Sequence, residues 1–151
     1  MFSVDNNTVS KQWAAANVEF DTTRLPFKSN IDLASKDFAS SKNTHNIITI
    51  GEELNITTPA AFYCDSKIAT VGGITRKGYL LAFGVLYRMV KNKTQLNELY
   101  IALGKTAPAI HSGHWWSSCQ FSATGAVHLS NGGFGNGSKT VGPSVLVGFD
   151  L

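Results

Sequence analysis

Charge is scarce in the last quarter of this sequence. Of the 39 residues at positions 111–149, only Lys139 carries a formal charge, whereas the whole chain has 13 basic and 10 acidic residues. A stretch without charges is either buried or exposed for contact with another molecule. The Gly- and Asn-rich segment 131–138 is too small and too polar to form a core. We therefore expect part of region 111–140 to face solvent as a neutral contact surface.

Clustered basic residues and long apolar runs are also missing. The only adjacent basic pair is Arg76-Lys77, so we expect no nucleic-acid partner. Apolar runs such as 79–90 are interrupted by Gly84 and Arg88 and fall short of the roughly 18 residues of a spanning helix, so no membrane insertion is expected. Residues 1–8 have neither a basic start nor an apolar core, and no signal peptide is visible. The composition, 43% hydrophobic and 15% charged, predicts a single globular domain over 1–151.

Few residues are available for catalysis or metal binding. Cys64 and Cys119 could pair or remain thiols, and the reducing environment of a cytoplasmically made protein favours thiols. Cys119 falls in a predicted strand rather than at a helix N-terminus, which does not favour a nucleophile. His111 and His114 have the spacing of a metal-binding pair but no acidic or thiol partner beside them. The glycine run 132–137 lacks the lysine and following helix of a phosphate loop. We expect no enzyme activity, no cofactor and no metal.

Hydrophobic periodicity predicts helices before residue 110 and strands after it. Helices are predicted at 43–51, 59–64 with Pro59 as the first helical residue, 83–91 and 92–104, with one or two helical turns at 10–17. The β-branched residues within 43–51 leave a strand possible there. Thr58 and Asn92 are the predicted caps of the second and fourth helices. Strands are predicted at 115–121, 126–130 and 145–149, separated by Gly-rich turns. This order predicts an α+β fold, with N-terminal helices packed on a small antiparallel sheet formed mainly by the C-terminal third.

Strand alternation divides the side chains of region 111–140 between two faces. It predicts that Trp116, Leu129 and Val145 point inward, whereas Trp115 and His128 point outward with Phe134. The segment around Phe134 and Asn136 is open to two interpretations: a flexible contact loop like those of antibodies, or a plain hairpin connection. The predicted ligand contacts are Trp115, Gln120, Phe121, His128, Phe134 and Asn136.

Eight short motifs occur in one order along residues 45–151. They are Pro59-Ala-Ala-Phe-Tyr-Cys64, Gly78-Tyr-Leu, Leu86-Tyr, Asn92-Lys-Thr-Gln-Leu-Asn97, Ala102-Leu-Gly104, Trp116-Ser-Ser118, Ser122-Ala-Thr124 and Ser130-Asn-Gly132. Together they resemble the bacterial and phage C-type-lectin-like domains. The chain departs from that pattern at Leu81, where the family has proline, and at Val127, where it has tryptophan. The calcium-binding signatures of the family's lectins are absent, which disfavours calcium-dependent sugar chelation.

The resemblance implies a C-type-lectin-like fold that serves recognition. Its members include variable proteins of diversity-generating retroelements and tail or fimbrial adhesins. A virion or bacterial cell-surface location and a host-surface glycan or protein ligand are therefore expected. Gly125, Val127, His128, Gly133 and Phe134 would be candidates for sequence diversification. The alternative is a structural virion or fibre module whose subunits self-associate through the same surface.

Overall fold

The helices occupy the first two thirds of the chain. A computed structural model describes residues 2–150, and the side chains of 9–70 and 72–150. In that part of the chain the helices are α1 (Ile31–Ala34), α2 (Ser40–Glu53), α3 (Pro59–Asp65), α4 (Phe83–Lys91) and α5 (Lys93–Ala102). None of them is both long enough and apolar enough to cross a lipid bilayer.

Eight strands build a large sheet and a separate hairpin among the described residues. They are β1 (Phe2–Ser10), β2 (Ile68–Val71), β3 (Ile74–Lys77), β4 (Tyr79–Leu80), β5 (His114–Gln120), β6 (Gly125–Ser130), β7 (Gly133–Ser138) and β8 (Ser144–Asp150). The large sheet has the order β1-β8-β5-β6-β7, with β4 also paired to β8, while β2 and β3 form the hairpin. The predicted α+β class is confirmed, and β1 and β4 complete a sheet formed mainly by the last third of the chain. The sheet is not wholly antiparallel as predicted, because β5 and β8 pair in parallel.

The large sheet has a hydrophobic cluster on each face. Trp116 packs in one cluster with Trp13, Phe20 and Ile47, and α2 and α3 contribute to this layer. On the other face, Trp115 packs in the second cluster with residues that include Leu86 of α4. The strands are therefore buried on both sides, which is why region 111–149 needs so few charges.

Two local predictions fail because hydrogen bonds to other segments of the chain determine the structure. Residues 11–17 form no helix, since the backbone N–H groups of Trp13 and Ala14 donate to the carbonyl of Lys139 at 2.9 and 3.0 Å. Segment 133–138, expected as a loop or hairpin connection, is strand β7, paired along its whole length with β6. Tertiary hydrogen bonding thus overrides the local signals.

The helix predictions are accurate in position and less so in detail. The predicted helix at 83–91 coincides with α4, and α3 begins at Pro59 as expected. Neither Thr58 nor Asn92 makes a side-chain capping bond, and the Asn92 amide instead donates to the carbonyl of Arg88 at 2.8 Å. Among the residues of α5, only Tyr100 is buried.

Candidate functional site

The six predicted ligand contacts do not form one surface. Trp115 is 6% exposed, Gln120 is 0% exposed and His128 is 7% exposed, so the outward orientation expected for Trp115 and His128 is wrong. Phe121 and Phe134 are half-buried, and Asn136 is exposed. Trp115 is buried because the face opposite Trp116 has a hydrophobic layer of its own. The six residues therefore form two groups of three. Trp115, Gln120 and His128 are buried, whereas Phe121, Phe134 and Asn136 are accessible at the surface.

Gln120 belongs to a buried polar network. Its side-chain oxygen accepts from the backbone N–H of Phe20 at 2.8 Å and from the Lys139 ammonium at 2.7 Å. Its amide nitrogen donates to the carbonyls of Phe20 and Leu25 at 3.1 and 2.9 Å. All of these groups are satisfied inside the protein, so Gln120 fixes the loop before α1 against β5.

Lys139, the single charge of region 111–149, lies at the centre of that network and is 0% exposed. Besides Gln120, its ammonium donates to the carbonyls of Val18 and Ala123 at 2.7 and 2.9 Å. Burial lowers the pKa of Lys139 to about 8. The charge is therefore structural, and a lone lysine in a charge-free segment is the sequence signal that indicates such burial.

Phe121 and Phe134 are part of an aromatic patch that α4 and the β6–β7 edge build together. Phe83 is its buried base, with Tyr87 stacked on it at 5.5 Å and Phe134 edge-on at 5.6 Å between ring centroids. Phe121 lies 6.1 Å from Phe134, measured in the same way. Asn136 follows Phe134 on the same face of β7, where strand alternation keeps the two side chains together. We define the aromatic patch as Tyr87, Phe121, Phe134 and Asn136.

The patch combines fixed rings with a polar group at its margin. Tyr87, Phe121 and Phe134 are half-buried, so each ring is held by the protein while part of it stays accessible. The ammonium of Lys91 lies 4.6 Å from the centre of the Tyr87 ring. Rings that are already ordered lose little conformational freedom on binding, and aromatic side chains with a nearby amide are common in recognition surfaces.

The opposite face of the sheet carries a pair of histidines, His114 on β5 and His128 on β6. The His128 ring lies 4.8 Å from the His114 ring and 5.7 Å from the Trp116 ring between centroids. His128 pairs in register with Gly135, and a Cβ atom at Gly135 would lie 2.7 Å from Cε1 of His128. A Cβ at Gly137 would lie 3.3 Å from the other side of the same ring. The alternating glycines of β7 therefore leave the space that the imidazole fills.

The imidazole of His128 has one unsatisfied atom. Its Nδ1 is buried and has no hydrogen-bond partner. Burial, and after it the neighbouring His114, lowers the pKa of His128. A cleft of about 350 Å³ opens beside the two rings and is completed by Val141, Gly142 and Pro143.

A metal cluster and a reactive thiol are two other kinds of site to consider. Among the side chains of residues 9–70 and 72–150, no three His, Cys, Asp or Glu are grouped as a metal centre. Burial raises the pKa of the Cys119 thiol strongly, and nearby Asp37 raises it further. Cys119 donates to the Asp37 carboxylate at 3.4 Å, while Cys64 donates to the carbonyl of Leu146 at 3.6 Å. At neutral pH the Cys119 thiol is protonated and enclosed, which is unsuited to nucleophilic attack.

Comparison with known proteins gives a structural likeness without a sequence family. No protein-family model matches the chain, and no curated protein matches it in sequence. The structure is similar to a fimbrial protein from Bacteroides ovatus, with a TM-score of 0.73 at 14% sequence identity. The likeness covers 99% of this chain and 35% of the fimbrial protein, so the chain spans about a third of that protein's length. At this identity the likeness shows a shared fold.

Proposed function

We propose that this chain is a non-catalytic recognition domain of a bacterial or virion surface structure. It binds a host-surface glycan or protein through the aromatic patch. The observation that supports this most directly is the arrangement of Phe134 and Phe121, which the core orders but does not fully cover. Sugar rings and apolar side chains both stack on such surfaces, and the exposed amide of Asn136 adds hydrogen bonds.

The fold comparison supports the cellular setting of this proposal. The similar Bacteroides ovatus protein is a fimbrial protein, which is a component of a surface appendage. The ordered motifs of the sequence support assignment to the C-type-lectin-like domains within that setting. Diversification of the binding surface fits this assignment only at exposed positions, since Val127 is 0% exposed and His128 is 7% exposed. Any variable position is therefore expected near Phe134 and Asn136.

A binding assay with matched phenylalanine variants tests the proposal. The purified protein is applied to immobilised neutral and acidic oligosaccharides and to intact host cells. Phe134→Ala and Asn136→Ala should each reduce binding, Asn136→Ala by the loss of a hydrogen bond, about 1 kcal/mol or roughly fivefold. The control is Phe62→Ala: Phe62 is 64% exposed on α3, which packs against the opposite face of the sheet. Thermal unfolding of every variant confirms that the fold is retained.

Two outcomes would contradict the proposal. Wild-type binding by a folded Asn136→Ala and by a folded Phe134→Ala protein would remove the patch from the binding surface. Loss of binding in Phe62→Ala alone would show that the binding site is on the face of the sheet covered by α3.

An assembly module is the second candidate, and α5 favours it. Leu99, Ile101 and Leu103 are 47, 73 and 62% exposed, respectively. Apolar side chains grouped in this way at a helix end are typical of a subunit contact. Light scattering over a range of concentrations distinguishes the two candidates. An oligomer that dissociates in Ile101→Ser favours assembly, and a monomer at all concentrations favours recognition.

A further inference from the structure

His114 and His128 lie on the face of the sheet opposite the aromatic patch, and the proposed recognition function does not use them. His114 is the exposed first residue of β5, whereas His128 is buried in the middle of β6. The register of the two strands pairs His114 with Ser130 and Trp116 with His128, which makes the histidines diagonal neighbours on one face. Side chains in that relation are within reach of each other when they are long or aromatic.

The unsatisfied Nδ1 of His128 lies on the edge of the ring next to Gly135 of β7. A Cβ built at Gly135 would contact Cε1 and Nδ1 of His128 and the Cβ of Ser130, whereas one at Gly137 would contact Cδ2 and Nε2. The Nδ1 edge therefore lies beside Gly135 and Ser130, and Ser130 is the residue paired with His114. A buried nitrogen without a partner costs free energy, which a ligand at that position would offset.

We propose that His114 and His128 form a two-histidine site for a transition-metal ion of the Cu²⁺, Ni²⁺ and Zn²⁺ group. Imidazole nitrogen is a preferred donor for these ions. Metal–nitrogen bonds of about 2.0–2.1 Å, at roughly 90–110° to each other, would place two ring centroids about 4.5–5.3 Å apart. The observed separation of 4.8 Å meets this condition.

The surroundings of the pair suit an ion with open coordination positions. The adjoining cleft of about 350 Å³ has room for water or for a donor atom of a second molecule, and its other lining residues bring no competing charge. Two protein ligands and several exchangeable positions give a site of modest affinity, which Cu²⁺ should occupy most tightly.

Titration of the untagged protein with CuCl₂, and separately with NiCl₂ and ZnCl₂, tests the site by calorimetry and by tryptophan fluorescence. Trp116 lies 5.7 Å from His128, so bound Cu²⁺ should quench its emission. His114→Gln should weaken binding by at least the roughly 10–100-fold that loss of an outer-shell partner costs. His114 is exposed, so this variant should fold normally, and His128→Gln provides the second arm.

The matched controls are His45→Gln and His111→Gln, which remove the other two histidines of the chain. Both should bind Cu²⁺ like the wild type. Equal affinity of wild type and folded His114→Gln would overturn the proposal, as would loss of binding in either control. Because glycan or cell binding by the aromatic patch is measured without metal, failure of one proposal is distinguishable from failure of the other.

Discussion

The imidazole of His128 and the glycines of β7 yield a sharp stability prediction. An alanine at Gly135 would place its Cβ 2.7 Å from Cε1 of His128 and 2.8 Å from the Cβ of Ser130. Both distances are shorter than a van der Waals contact between carbon atoms. His128 cannot easily move away, because its buried ring lies between His114 and Trp116. The clash must therefore displace the edge strand or the ring.

Gly135→Ala should lower the free energy of unfolding by about 1–3 kcal/mol, the usual cost of overpacking. For a chain of this length that corresponds to a fall in Tm of roughly 3–10 °C. Urea unfolding followed by circular dichroism, together with calorimetry, measures both quantities. In a His128→Ala background the same substitution should cost less, since the contact with the ring is gone and only the contact with Ser130 remains.

Gly133→Ala is the matched control on the same strand. A Cβ there has one neighbour at an ordinary distance, the carbonyl oxygen of Ser130 at 3.6 Å. This variant should be neutral or more stable by about 0.4–1 kcal/mol, because alanine restricts the unfolded chain more than glycine does. If Gly135→Ala proves as stable as Gly133→Ala, then the idea that the glycines of β7 leave space for the His128 ring is refuted.

Three further predictions concern buried groups. Between about pH 8 and pH 10.5 the unfolded state holds a proton on Lys139 that the folded state releases. Wild-type stability should therefore rise with pH relative to Lys139→Met, by at most about 3 kcal/mol, and equal pH profiles would contradict the lowered pKa. Trp115→Ala should cost about 3–5 kcal/mol in urea unfolding, whereas a wild-type midpoint would show that Trp115 is not core. Cys119 should resist iodoacetamide until the protein unfolds, and rapid native labelling found by peptide mapping would contradict its burial.

Helices with an uninterrupted apolar period were predictable from the sequence, and the site residues were only partly so. The helix at 83–91 was predicted to the residue because Phe83 and Leu86 repeat on one face and pack against the sheet. Phe134 and Asn136 were identified from composition and do lie at the surface. Trp115 was misplaced because alternation separates two faces but does not say whether the second face is also covered.

The histidine pair illustrates what neighbouring strands add. His111 and His114 attracted attention because they are close in sequence, yet the ring beside His114 is that of His128. The glycines at 133, 135 and 137 recur with a period of two, which is typical of a strand, although their abundance led to the prediction of a turn. That Gly135 and Gly137 make room for the His128 ring is apparent only once β6 and β7 are paired in register.

The sequence by itself determined the α+β class, the positions of the main helices and the near absence of charge in residues 111–149. Those properties follow from periodicity and composition, which act locally along the chain. Tertiary structure alone decided that the charge-free region is a sheet covered on both faces and that Lys139 is internal. Burial depends on which distant segments come together, and here residues 11–28 and α4 cover opposite faces of the same strands.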